Sequence, residues 1–136
     1  MDQDRERRRE GETSPAAAFL DLHAILESIP EPVGLVDRAG RILAFNGPAR
    51  RVVFTARTQS VALGDDLFSF ISPHNMAGVR GSLERAFSGE VHTHRTEAAG
   101  HHFETVYSPV RGPCGEVAAV SIRVKDVTER ERALAE

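Results

Sequence analysis

The sequence predicts an α+β domain in which helices gather on one face of a single antiparallel sheet. Two observations lead to this prediction. Strand-like segments come in two blocks, one of two strands and one of three, and a helical insert separates the blocks. Strands joined by short turns pair with their neighbours, so such blocks favour one antiparallel sheet covered by the helices. At 136 residues, the chain has the size of one domain.

The composition is that of an ordinary globular domain, with 40% hydrophobic and 27% charged residues. A net charge of -3, with basic and acidic residues interspersed, argues against nucleic-acid binding. The single cysteine, Cys114, excludes an internal disulfide and a multi-cysteine zinc site. Because the sequence shows no signal peptide and no apolar run of roughly 18 residues, we expect a cytoplasmic protein.

The first helix follows a polar N-terminal stretch. Residues 1–13 contain no apolar side chain after Met1, which predicts a disordered tail. Segment 14–30 begins with a capping serine and a first-turn proline, which predict an amphipathic helix. Its apolar residues, three or four positions apart, are Phe19, Leu22, Leu26 and Ile29. This stripe either covers the core of its own domain or contacts a second copy of the chain.

Two short strands follow, at residues 33–37 and 41–46. The turn between them contains Gly40, a residue that tolerates positive φ. Short helices and loops are predicted from there to residue 71, and Asn46 can cap the first of these helices.

The second half of the chain predicts one long helix and three strands. Ser72 and Pro73 repeat the cap-and-proline signal, and Gly89 ends the helix. Apolar residues on one side of this helix are Met76, Val79, Leu83 and Phe87. The three strands are predicted at residues 90–97, 101–110 and 116–125.

The last strand leads directly into a charged helix. Thr128 and Glu131 have the spacing of a capping box, in which the hydroxyl accepts from the amide three residues on and the carboxylate reaches back. Asp126 is an alternative cap, and it could form an ion pair with Arg130. Such a junction would fix the strand end and the helix start relative to each other. The other interpretation is a plain helix cap that transmits nothing.

Three segments of the chain share a pattern with a known family. They are Ile29-Pro-Glu-Pro-Val-Gly-Leu-Val-Asp-Arg-Ala-Gly-Arg-Ile-Leu-Ala-Phe-Asn46, Tyr107-Ser-Pro-Val110 and Asp126-Val-Thr-Glu-Arg130. These segments resemble PAS sensor domains, which occur in bacterial signalling proteins such as histidine kinases. The resemblance implies a PAS core at residues 31–126 and a signalling helix beginning in residues 127–136. It also implies a five-stranded antiparallel sheet, in the order 2-1-5-4-3, that encloses a small cavity with the helices.

The resemblance further implies sensing or dimerisation rather than catalysis. Residues that it places around the cavity are Phe54, Phe68, Ile71, Met76, Val79, Leu83, Phe103, Tyr107 and Ile122. In a domain without a ligand, the same residues would simply form the core. The resemblance also implies a homodimer through the first helix, and a signal passed through the strand-helix junction to an effector outside this chain.

Two cofactors known in the PAS family are not expected here. Haem-binding members use a histidine that faces the cavity from the long helix, whereas His74 lies opposite the apolar stripe of that helix. Cysteine-adduct flavin members need a cysteine within an Asn-Cys-Arg-Phe-Leu-Gln motif. Cys114 lies instead in a Gly-Pro-Cys-Gly turn.

A group of histidines lies in the third and fourth strands. If these strands pair about Ala99, one face of the sheet carries His92, His94, His102 and Glu104. This group could bind a metal ion or respond to pH, since imidazole is a common metal ligand and titrates near neutrality. The plainer interpretation is a solvated polar face, and we expect no metal site.

The sequence therefore predicts a PAS sensory or dimerisation module that is not itself an enzyme. It contains no nucleophile elbow, phosphate-binding glycine loop or zinc-protease helix. The alternative is a small-molecule carrier or enzyme on an α+β fold, with Glu104 as a base. That alternative predicts a buried Glu104 with a shifted pKa in an open pocket, whereas a sensor predicts an outward-facing Glu104.

Overall fold

A computed structural model gives the structure of residues 15–52, 61–98 and 100–135. Its strands are β1 at Val33–Val36, β2 at Ile42–Phe45, β3 at His92–Ala98, β4 at His101–Arg111 and β5 at Val117–Asp126. The α-helices in these ranges are α1 at Pro15–Glu27, α2 at Gly47–Val52, α3 at Pro73–Phe87 and α4 at Thr128–Ala135, with a 3-10 helix at Leu67–Phe70. Residues 1–13, predicted as a tail, and Phe54 lie outside the described residues.

The five strands form one antiparallel sheet in the order β2-β1-β5-β4-β3, which confirms the predicted fold class. The first hairpin joins the last three strands because β1 pairs with β5, placing Val36 opposite Val120. Glycines with positive φ serve the connections, among them Gly40 at φ 81° and Gly115 at φ 82°. Within the described ranges, no helix is long and apolar enough to cross a membrane.

The inner face of the sheet carries the main core. Val36 and Val120 are almost fully buried there, and Leu83 and Ala86 pack on them from α3. Ile42, Leu67, Phe70 and Tyr107 complete the buried set around them. Burial of this kind supplies most of the favourable free energy of folding, at about 25 cal/mol per Å² of apolar surface.

The opposite, outer face of the sheet is covered by the last turn of α1. Leu26 is 6% exposed and packs with Val33 and Ala44, while Ile29 is partly buried beside them. By contrast, Leu22 is 39% exposed. The predicted apolar stripe of the first helix therefore has two parts. Leu26 and Ile29 pack within their own domain, whereas Leu22 remains exposed.

Asn46 joins three elements through its side chain, which is fully buried. Its Oδ1 accepts from the amides of Val33 and Ala49, both at 3.0 Å, so it caps α2 as predicted. Its Nδ2 donates to three carbonyls near the end of α1, those of Leu26 at 3.1 Å, Ile29 at 3.1 Å and Glu31 at 2.8 Å. One amide side chain thus fixes the end of α1 and the start of β1.

The ends of α3 differ partly from the prediction. Gly89 ends the helix with φ 106°, as the sequence indicates. Ser72 has the extended backbone of a cap, but its hydroxyl makes no capping bond and accepts instead from Asn75 Nδ2 at 3.2 Å. The predicted side-chain cap at Ser72 is therefore wrong, although Pro73 starts the helix as expected.

Candidate ligand cavity and helix junction

A cavity of about 600 Å³ lies between the inner face of the sheet and the helices, a size within the range of small-molecule sites. Much of its wall is apolar, formed by Val36, Ile42, Phe45, Ala49, Leu67 and Ile122. A polar group of residues lines it near the start of α3 and along β3 and β4: His74, Asn75, His94, Thr96, Thr105 and Tyr107. The cavity therefore has apolar and polar parts.

The polar part depends on a close approach between β3 and α3. A Cβ atom placed on Gly78 would lie only 3.3 Å from Nε2 of His94. The imidazole of His94 thus reaches across the cavity to the helix at the position where a side chain is missing. Gly78 lies inside α3, where glycine is less favourable than alanine. The close approach of His94 gives a physical reason for a glycine at this position.

Tyr107 supplies a neutral hydroxyl to the cavity. Burial raises the pKa of this phenol to about 12, although its hydrogen bond with Ser82 acts in the opposite direction. Both residues are buried. The phenol therefore stays protonated at physiological pH and offers the cavity a hydrogen-bonding group without charge.

The nine residues predicted around the cavity fall into four groups. Ile71, Val79, Tyr107 and Ile122 line it. Phe68 and Leu83 line a second groove of about 450 Å³ between the β1–β2 turn and α3. Met76 and Phe103 line neither space, and Phe54 is outside the described residues. His74 is exposed, but it also lines the cavity at the start of α3, so the prediction that it faces away from the cavity is wrong.

The predicted pairing of β3 and β4 is wrong by one residue. Ala98 pairs with His101, so His92 lies opposite Tyr107 and His94 opposite Thr105. A shift of one residue moves every side chain of one strand to the other face. His92 and His94 therefore share the inner face, while His102 and Glu104 lie on the outer face, and the four predicted residues do not meet. Among the described residues, no three metal-binding side chains come together.

The junction between β5 and α4 is held by Thr128, whose side chain is buried. Its hydroxyl oxygen accepts from the amide of His102 at 2.9 Å and donates to the Asp126 carboxylate. The amide of Thr128 donates to Asp126 Oδ1 at 3.0 Å, and the amide of Val127 donates to the carbonyl of His102 at 2.8 Å. Four hydrogen bonds thus bind the first turn of α4 to β4 and β5.

The capping box predicted at this junction is not formed. The amide of Glu131 donates to the backbone carbonyl of Val127 at 2.9 Å, and Thr128 turns its hydroxyl toward β4 and Asp126 instead. Asp126 takes the capping role that the sequence offered as an alternative. Hydrogen bonds from Thr128 and the nearby His101 lower the pKa of Asp126.

Ion pairs attach the same turn of α4 to the outer face of β3 and β4. Arg130 donates to Glu104 Oε2 at 2.9 Å, and Arg95 lies 3.1 Å from Glu131 and 3.6 Å from Glu104. The hydrogen bond from Arg130 is the main reason that the pKa of Glu104 is lowered. The predicted partner of Arg130 was Asp126, and this was wrong, because Asp126 instead lies 3.2 Å from His101 Nδ1.

These features define a class of protein. An antiparallel sheet closes a cavity with its helices, and the last strand of the sheet leads into an exposed helix, as in sensor domains. The family model for the PAS fold matches residues 26–132. The chain therefore belongs to the PAS family. PAS domains are generally sensory modules rather than enzymes, and they commonly dimerise and pass signals to effectors.

Solved structures give the same fold. The PAS domain of BvgS from Bordetella pertussis has 18% identity and a TM-score of 0.65, over 87% of this chain and 92% of that chain. A sensory box sensor histidine kinase from Vibrio cholerae has 17% identity and a TM-score of 0.59, over 83% and 94%. Phage VqmA, in a complex with DPO, has 20% identity and a TM-score of 0.64, over 88% and 59%. A comparison with curated proteins finds no match.

Proposed function

We propose that this domain is a sensory and dimerisation module of a bacterial signalling protein, acting in the cytoplasm on an effector outside this chain. A ligand or partner protein would change the cavity side of the sheet, and the change would alter the orientation of α4. The domain would pass on a signal without catalysing a reaction itself.

One observation carries this proposal: β4 has the cavity on one face and the helix junction on the other. Thr105 and Tyr107 line the cavity, whereas the side chain of Glu104 on the outer face binds Arg130 of α4. The backbone amide of His102, at the start of the same strand, donates to the hydroxyl of Thr128. Successive side chains of a strand point to opposite faces. A displacement of β4 at the cavity would therefore also displace the groups that hold α4.

The contacts that attach α4 to the sheet are few enough to let this helix change its orientation. They are limited to the first turn, and beyond it the helix is exposed, with Leu134 at 76%. The ion pairs of Arg130 and Arg95 in this attachment lie at the surface, where solvent screening keeps their contribution small. A modest change at the sheet can therefore shift the position of the helix.

The face of α1 that stays exposed supports the dimerisation part of the proposal. Leu22 and Ile25 are exposed, although Leu26 of the same helix is buried in its own domain. We propose that Leu22 and Ile25 contact a second copy, together with Phe19, whose side chain is outside the described residues. Leu22→Asp should then convert a dimer to a monomer in light scattering. If the unsubstituted protein and Leu22→Asp both have the mass of a monomer, the proposed dimer contact is wrong.

The position of Glu104 supports a sensor over the alternative of an enzyme with this carboxylate as base. Glu104 faces away from the cavity and binds Arg130, and its pKa is lowered rather than raised. A carboxylate in a salt bridge is a weak base, and here it also lies on the far side of the sheet from the ligand cavity.

The coupling between the cavity and α4 can be tested by distance measurements between spin labels. Cys114 is exposed in the β4–β5 turn and provides one labelling site, and Leu134→Cys provides the other. Val79→Phe fills part of the cavity and should shift the distance distribution between the labels. The same substitution in a Thr128→Val background should give a smaller shift, because the hydroxyl that joins α4 to β4 is absent.

Val91→Phe is the matched control, since Val91 is exposed and does not line the cavity. It should leave the label distance unchanged. If Val79→Phe also leaves the distance unchanged while the protein stays folded, the cavity and α4 are not coupled and the proposed function is wrong.

A further inference from the structure

We propose that the cavity binds an amphipathic small molecule with an anionic head group, such as a carboxylate, seated between His74 and His94. This inference rests on the proposed sensory function and names the chemical class of ligand for the same cavity. The apolar body of the molecule would lie against the apolar wall of the cavity.

His74 of α3 and His94 of β3 both line the cavity. His74 and Gly78 are four residues apart in α3, so they lie on the same face of the helix, one turn from each other. The ring of His94 reaches this face, with Nε2 3.3 Å from where a Cβ of Gly78 would lie. A carboxylate placed at this turn of α3 would therefore have imidazoles from both α3 and β3 beside it.

The charges around this end favour an anion. Among the described lining residues, His74 and His94 alone can carry a positive charge, and Glu97 alone a negative one. Glu97 pairs with His102, and that position directs its side chain toward the outer face of the sheet. Tyr107 is neutral at physiological pH because burial raises its pKa to about 12. A cationic head group would thus meet two imidazoles, and Glu97 is the single carboxylate among the described lining residues.

The distribution of apolar surface fixes the orientation of the ligand. His74 is exposed, so the imidazole end of the cavity borders solvent, whereas Val36 and Ile42 at the sheet are buried. Moving an unpaired carboxylate into apolar surroundings is strongly unfavourable. The head group therefore stays at the imidazole end, and the apolar body enters the cavity.

The test compares three probes that share a chain length and differ in head group: decanoate, decanol and decyltrimethylammonium. Each is titrated into the full chain by isothermal calorimetry below its micelle concentration or, for decanol, its solubility limit. The titrations are made at about pH 6 and about pH 8, the range in which imidazole changes charge. Decanoate should bind about tenfold or more tightly than decanol, as a hydrogen bond to a charged group predicts. This preference should be larger at the lower pH.

His94→Gln should remove most of the preference for decanoate while retaining the affinity for decanol, and His74→Gln should reduce it. His102→Gln is the matched control, because His102 lies on the outer face and joins the junction through its backbone. Circular dichroism and thermal melting of each variant would show whether the fold is intact. An unfolded His94→Gln would be replaced by His94→Asn in the same comparison.

Equal affinities for decanoate and decanol would overturn the inference, as would a preference that survives His94→Gln. Tightest binding of the cation, or no binding of any probe, would also overturn it. These failures differ from a failure of the proposed function, which is decided by the label distances in Val79→Phe. A cavity that binds only decanol could still shift α4.

Discussion

The inner core and the terminal helices of this domain are held in different ways. Val36, Val120 and Leu83 keep the sheet and α3 together by apolar burial. The two terminal helices rely more on single polar side chains, which are Asn46 at the end of α1 and Thr128 at the start of α4. Apolar burial is non-directional and extensive, whereas each hydrogen bond is directional and depends on the position of one side chain. The core is therefore expected to keep its structure when a terminal helix changes orientation.

The largest effect is expected at the core. Leu83→Ala should lower the free energy of unfolding by about 2–5 kcal/mol, because it removes a buried side chain and leaves a cavity in the packing of α3. Urea denaturation measures the change. Leu63→Ala is the control, since Leu63 is exposed, and it should have little effect. If both variants lose a similar amount of unfolding free energy, the distinction between core and surface positions is wrong.

A smaller loss is expected where a buried polar side chain attaches α1. Asn46→Ala should lower the free energy of unfolding by about 1–3 kcal/mol, because the backbone groups that Asn46 satisfies lose their partner. Amide hydrogen exchange should rise most around residues 26–33. The exposed Asn75 provides the control, Asn75→Ala. Uniform loss of protection across the whole sheet would contradict a local role in holding α1.

Two glycines of α3 provide a matched pair, since Gly78 lines the cavity and Gly81 does not. Gly81→Ala should stabilise the protein by up to about 1 kcal/mol, since alanine favours a helix and no atom lies within 4 Å of the new Cβ. Gly78→Ala should gain less, because its Cβ presses on His94. Thermal denaturation compares them, and decanoate affinity should fall in Gly78→Ala alone. Equal gains in stability for the two variants would show that His94 can move away from the new Cβ at no cost in free energy.

The smallest effect on global stability is expected from acid, and it should appear first at α4. The pKa values of Asp126 and Glu104 are lowered in the fold by Thr128 and Arg130. Their contribution is therefore complete above the ordinary carboxyl pKa and is lost as pH falls through the lowered values. In that acidic range, the protection of residues 127–132 from hydrogen exchange, relative to the intrinsic rate at each pH, should fall before the core opens.

Glu104→Gln should remove part of this acid response, because one of the two titrating groups is then absent. The ion pairs also predict that salt weakens the attachment of α4, since surface charges are screened. If α4 and the core of the sheet lose protection from hydrogen exchange at the same pH, α4 is not attached independently of the core.

Several local features of the fold could be predicted from residue patterns. Alternating apolar residues predicted the strands, glycines such as Gly40 and Gly89 predicted turns and a helix end, and Asn46 predicted a cap. These signals depend on neighbours within a few positions, so the sequence contains them directly. The predicted α+β class and the strand order implied by the resemblance agree with the structure.

The prediction of the candidate site was poorer because it depends on contacts between distant segments. Four predicted residues, among them Val79 and Tyr107, line the cavity, but Phe68 and Leu83 border a separate groove. Apolar spacing shows that a side chain is buried, and it does not distinguish a cavity wall from a filled core. The role of Gly78 had no readable signal apart from the cost of a glycine inside a helix.

By itself, the sequence determined the strands, the helices and their order, because each follows from a local pattern of apolar, turn and capping residues. The tertiary structure alone decided which histidines face the cavity and which partners Thr128 and Arg130 take. A short turn that contains Gly100, at φ 80°, joins β3 to β4 and sets their pairing. A change of one residue there exchanges the faces of a strand, and β3 is too polar for an apolar alternation to specify that register.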